Sequence, residues 1–161
     1  MKVLQRVSPA AGRLLFVVLS ALVLAGCAIR LVADYDAAAY EESIAVGKKV
    51  DRFYGDLLET PAADRHYQKY AARYVEIETD LRSLYVRNKA RALNSESAEI
   101  SQTILDLWLK YKANHAAKDA YGDGVAKLDR ARFTRLFISA ANAESAKNLA
   151  AQDKNVQADS N

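Results

Sequence analysis

An all-α fold, an up-and-down bundle of four helices, is what this sequence predicts, on three observations. Glycine and proline are scarce, six and two in 161 residues, so little interrupts a helix. Alanine, leucine, lysine, arginine and glutamate are plentiful, the composition of long helices. Apolar residues recur at spacings of three and four, as helices with one buried face require. A three-helix bundle whose fourth helix docks on a partner is the competing architecture.

The first helix is predicted from Asp34 or Asp36 to about Glu59, with Asp34, Asp36, Glu41 and Glu42 at its positive end. Its stripe is Tyr40, Ile44, Gly47, Val50, Phe53 or Tyr54, and Leu57. Gly47 within that stripe costs about 1 kcal/mol relative to alanine, and close approach of a neighbouring helix would offset it. Thr60-Pro61 ends the element. The second helix, about Asp64 to Leu93, carries a heptad seam of Tyr67, Tyr70, Tyr74, Ile77, Leu81 and Leu84, continued by Asn88 and Arg91. Asn94-Ser95-Glu96-Ser97 breaks it and offers capping side chains to the third helix. There Ile100, Ile104, Leu107 and Tyr111 share a face that Leu105 and Trp108 widen. Tyr121-Gly122-Asp123-Gly124 reads as a loop, with Asp123 as a cap. The fourth helix is placed at Leu128 to Leu149, with Phe133, Leu136, Phe137, Ala140 and Ala143 inward. Residues 151–161 read as a disordered tail.

Ahead of this domain (residues 34–150) the chain has a different character. Lys2, Arg6 and Arg13 precede an apolar run from Leu14 to Leu24, too short to span a bilayer comfortably, and a small-residue junction follows. Leu24-Ala25-Gly26-Cys27 resembles the lipobox of bacterial lipoproteins. That resemblance implies a signal peptide over 1–26, cleavage between Gly26 and Cys27, and lipid on the Cys27 sulfur. Cys27 is the only cysteine, so no internal disulfide competes for it. Residues 27–33 are then a short lipidated tether. Ala28, where such lipoproteins carry aspartate when kept in the inner membrane, implies the outer membrane, facing the periplasm. The mature part resembles small all-helical envelope lipoproteins of uncharacterised role, through Tyr35-Asp36, Leu84…Arg87 and Ala143-Glu144…Ala146-Lys147. That resemblance implies no activity.

Charge and chemistry narrow the classes further. The three-residue excess of Lys and Arg over acids equals Lys2, Arg6 and Arg13, so the mature chain is near neutrality. A nucleic-acid footprint needs a standing basic excess, and no nucleic-acid partner is expected. His66 and His115 fall at the distal end, near Asp64, Asp119 and Asp123, and lack metal-ligand spacing; both read as solvated, with no metal or other cofactor. From Asp119, an EF-hand loop would need an oxygen donor at Tyr121 and a glutamate at Arg130, which excludes it. No Gly-x-Ser-x-Gly turn appears, and no catalytic residue is expected. The tyrosines read as packing with hydroxyls at the edge.

Two basic groups remain as candidate partner or membrane contacts. Arg87, Lys89 and Arg91 close the second helix, where cations suit its negative end; they face either lipid phosphates or the acids that open the first helix. Arg130, Arg132 and Arg135 crowd the predicted start of the fourth helix, a conflict calling for Asp51, Asp56 and Glu59 or for an external partner. The expected function is a membrane-anchored, non-catalytic interaction or structural module that contacts an unidentified envelope protein. The alternative is a small-ligand or metal-binding module at the distal end.

Overall fold

The computed structural model describes the backbone of residues 32–159 and the side chains of residues 32–149. Cys27, the Gly26–Cys27 junction and most of the tether lie outside the described residues. Four helices follow in order: α1 (Ala37–Glu59), α2 (Tyr67–Ala90), α3 (Ser95–Lys118) and α4 (Asp123–Asp159), with a short 3-10 turn at Ala62–Asp64. They form an all-α bundle in which each helix runs antiparallel to its neighbours. α1 packs closely on α4 and α2 on α3, while the α1/α2 and α3/α4 seams are looser.

Local chemistry explains the ends of α1. The Asp36 carboxylate accepts from the amides of Ala38 and Ala39 at 2.9 and 3.1 Å, satisfying two donors that a helix start leaves free. At the other end the Thr60 hydroxyl donates to the Asp56 carbonyl at 2.9 Å, and Pro61 forbids continuation.

The buried face of α2 follows the predicted seam through Tyr70, Tyr74, Ile77, Leu81, Leu84 and Asn88. α1 differs in its first half, where Ala39, Ser43 and Val46 are buried in place of Tyr40, Ile44 and Gly47. These small residues let α4 come near, and the larger side chains flank the contact. Gly47 lies on that edge: a Cβ there would stand 3.0 Å from the Phe137 ring. At the centre Phe53 meets Tyr74 at 4.7 Å and Trp108 at 5.1 Å between ring centroids, and Trp108 meets Phe133 at 5.8 Å. Truncating a ring this deeply buried costs about 3–5 kcal/mol.

Several boundaries move. α2 begins at Tyr67 rather than near Asp64, because the 3-10 turn and an inward-turned Arg65 occupy the intervening residues. α4 begins five residues before Leu128, taking Gly124 into its first turn; Ala126 is fully buried there, and its amide donates to the Gly122 carbonyl at 3.0 Å. It also continues to Asp159, so the backbone of residues 151–159, expected as a disordered tail, is helical. No glycine or proline follows Gly124 to end it.

Candidate functional site

Polar residues enter the interior at both ends of the bundle. The stripe that α4 presents to the core runs Ala126, Asp129, Phe133, Phe137, Ala140, Glu144 and Lys147, all buried. It is apolar in the middle and ionic towards each end.

At the end where the described chain begins, Glu144 and Lys147 are buried as a pair, with side chains 3% and 4% exposed. The Lys147 ammonium uses all three donors, to Glu144 Oε2 and Asn94 Oδ1 at 2.5 Å and to Ser97 Oγ at 2.8 Å. The other oxygen of Glu144 accepts from the Asp36 amide at 2.8 Å and from Arg91 at 3.1 Å. Arg91 also donates to the Asp34 carbonyl, and the Ala33 amide donates to the Leu93 carbonyl at 3.0 Å. One ionic cluster therefore joins the entering chain, the α2–α3 junction and α4. Leu93 turns that junction with φ 59°, a left-handed conformation that costs a residue with a Cβ.

The distal end is built from rings. His115 is 1% exposed, which corrects the expectation that both histidines are solvated; only His66 is exposed. The Arg65 carbonyl can only accept, so His115 Nε2 carries the proton and donates to it at 2.8 Å. Nδ1 then accepts from the Tyr74 hydroxyl at 3.1 Å. Burial pushes the imidazole below its ordinary pKa, the bond to the Arg65 carbonyl notwithstanding, and so keeps it neutral. Arg65, 3% exposed, donates to the carbonyls of Thr60 and Tyr121 at 2.7 and 2.9 Å and to Asp123 at 2.6 Å. Asp123 is thus an anchor for this guanidinium, beyond the capping role expected of it.

Next to this group the Tyr121 hydroxyl donates to Asp129 Oδ2 at 2.7 Å, and Asp129 is 2% exposed. Burial raises the hydroxyls of Tyr54, Tyr74 and Tyr121 far above the usual phenol range, so they act as neutral donors. Asp119, left-handed at φ 47°, accepts from the Tyr67 amide at 2.8 Å and from His66 at 3.0 Å. It caps α2 from across the bundle, and these bonds hold its carboxyl below the usual range. A cavity of about 420 Å³ opens beside the network, between the end of α3 and the start of α4.

The six predicted contact residues do not form one patch. Arg87 donates to Glu42 at 2.7 Å, Lys89 to the Tyr85 hydroxyl at 2.8 Å, and Arg91 turns inward as described. Arg130 grips Asp51 of α1 with two bonds at 2.6 and 2.7 Å. Arg132 faces the opposite helix, donating to the Tyr111 hydroxyl at 2.8 Å and to Asp129 at 3.3 Å. Arg135 is exposed and has no ion pair among the described residues. Because α4 starts at Asp123, none of these three arginines sits at its positive end, which removes the conflict inferred for them.

Sequence reasoning did not assign roles to Arg65, Asp129, Glu144 or Lys147. A signal existed for three of them: extending the Phe133–Phe137–Ala140 spacing in both directions lands on Asp129, Glu144 and Lys147. Arg65 sits in an irregular turn and carried no periodic signal. Among the described residues no group of three or more His, Cys, Asp or Glu side chains is placed to hold a metal ion.

Fold and sites together define an antiparallel four-helix bundle with an ionic clasp in one end and a ring-lined polar network in the other. No family model, no curated protein and no solved structure matches the chain.

Proposed function

We propose that this chain is a lipid-anchored lipoprotein of the bacterial cell envelope. It faces the periplasm from the outer membrane and acts without catalysis, by contact with another envelope protein. The observation that carries this reading is Leu24-Ala25-Gly26-Cys27 behind a basic and then apolar leader. Only residues 28–31 separate Cys27 from Val32, where the described backbone starts; at about 3.5 Å per residue the domain stays near its anchor. Among the described residues no helix is long and apolar enough to cross a membrane, so membrane attachment in this reading comes from the lipid.

Interaction by surface contact agrees with an interior whose buried side-chain polar atoms are all hydrogen-bonded among the described residues. Arg135 is the first choice for that contact, because its charge is not spent within the bundle. It borders a shallow depression with Lys127, Leu58 and Thr134 between α1 and α4.

Mass spectrometry of native protein tests the anchor: the expected N-terminus is an acylated Cys27, and Cys27→Ser leaves the chain unlipidated and released from membranes. A bare Cys27 with residues 1–26 attached would overturn it. For the contact, a photo-crosslinker at position 135 should capture one envelope protein in stoichiometric yield, and only while Cys27 is intact.

A further inference from the structure

We infer that the cleft between α3 and α4 at the distal end binds a small organic anion with an apolar body, such as an aromatic carboxylate. The inference does not depend on where the chain is anchored. It rests on how charge, apolar surface and buried donors are divided around one cavity of about 420 Å³, within the size range of small-molecule sites.

The rim is cationic. Lys110 and Lys118 line the cleft from α3, and neither has an ion pair among the described residues. Arg132 faces them from α4 and uses one terminal nitrogen, Nη1, on Tyr111 and Asp129. Its other donors are available for a bidentate contact, the geometry in which guanidinium recognises carboxylate. The only carboxylate in the lining is Asp129, and its two oxygens already accept from Tyr121 and Arg132. His115 at the floor is held neutral by burial. The cleft therefore presents a net positive charge that the protein leaves unanswered.

The walls account for the apolar body. Val125 and Leu128 are 56% and 53% exposed and, with Arg132, lie on one face of α4 at i, i+3 and i+7. Tyr111 and Tyr121 line the floor, with Tyr121 set edge-on to His115 at 5.0 Å between centroids. An acid seated here would place its charge between Lys118 and Arg132 and its body against Val125 and Leu128. Two walls are regular helix, and the link at residues 120–122 that closes the end is pinned by the Arg65 bond to the Tyr121 carbonyl, so little ordering opposes binding.

Calorimetric titration of the full chain in a neutral detergent, with protein-free micelles as blank, tests this with 1-naphthoate and its uncharged counterpart 1-naphthamide. The expected result is saturable one-to-one binding of naphthoate, about tenfold or more tighter than the amide, as a charge-assisted contact gives. Lys110→Gln/Lys118→Gln, which spares the Arg132–Asp129 pair, should weaken naphthoate about threefold or more and leave the amide unchanged without shifting the thermal midpoint appreciably. Val125→Trp, which fills the cleft from an exposed position, should abolish both. Absence of saturable naphthoate binding, equal affinity for the two ligands, or full naphthoate affinity in either variant would each overturn the inference. So would displacement of naphthoate by dioctanoyl phosphatidylglycerol at concentrations below the naphthoate dissociation constant, which would assign the cleft to a lipid headgroup.

Discussion

The two ends of the bundle bury polar groups in opposite ways. At the entry end the interior holds an ionic cluster, in which Glu144, Lys147 and Arg91 satisfy one another and two backbone groups, the Asp36 amide and the Asp34 carbonyl. At the distal end the rings at the centre, an imidazole and tyrosine hydroxyls, are neutral. The buried charges Arg65 and Asp129 are held by carbonyls and a phenol and by one half-exposed counter-charge each, Asp123 and Arg132. Desolvating ions costs several kcal/mol per ion unless every lone pair and proton is answered. The entry end meets that condition by closing on itself. The distal end leaves cations unpaired at its rim, and it is there that the structure has chemistry to offer a ligand.

Breaking one member of the clasp should have the largest effect. Glu144→Leu strands Lys147 in a dry interior, takes one partner from the partly exposed Arg91, and should lower unfolding free energy by about 3–5 kcal/mol, measured by urea denaturation. Glu144→Leu/Lys147→Leu should recover most of that loss, and a double-mutant cycle isolates the coupling. Equal losses in the single and double variants would mean that the pair is not a unit.

At the distal end the corresponding change is smaller, because no charge is stranded. His115→Phe leaves the Arg65 carbonyl and the Tyr74 hydroxyl without their partner, which costs about 1–3 kcal/mol. The same residue gives this end a pH dependence. Folding lowers the imidazole pKa from its ordinary 6.5, so above pH 6.5 both states are neutral and the stability is fully present. As pH falls from 6.5 towards the folded value, the unfolded chain takes up the proton first and that stability is lost. Urea midpoints should therefore drop between pH 8 and pH 5 in the parent, and the drop should shrink in His115→Phe.

Leu93 and Asp119 sharpen the comparison, since each end turns on a left-handed residue that is not glycine. Leu93→Gly relieves the backbone at an exposed position and should raise stability by up to about 1 kcal/mol. Asp119→Gly removes the same strain but forfeits the cap on Tyr67, so its thermal midpoint should fall. The smallest effect is expected at Arg130, whose half-exposed pair with Asp51 contributes about 0–1 kcal/mol; Arg130→Gln should leave the midpoint nearly unchanged.

Much of the fold was legible because periodic residues report one face of a helix regardless of what lies opposite. The seam from Tyr70 to Leu84 and the close approach at Gly47 were readable for that reason. The start of α4 was not, since Gly122-Asp123-Gly124 carries a local turn signal that packing of Ala126 and Tyr121 overrides. The distal cleft was readable only as a place where His66 and His115 converge. Burial of one and exposure of the other depends on Arg65 turning inward, and no spacing encodes that turn.

By itself, the sequence determined four helices, their order, the apolar seam of α2 and the second half of that of α1, and the motif at Cys27, because these depend on neighbours within a few turns of chain. Tertiary structure alone decided which charges are spent and which stay free. Arg87, Arg91 and Arg130 resemble Lys110 and Lys118 in the chain, yet the first three meet acids from other helices and the last two do not. Pairing across a bundle is set by the rotation of each helix against the next, and a few tens of degrees determine whether a cation finds a carboxylate or open solvent.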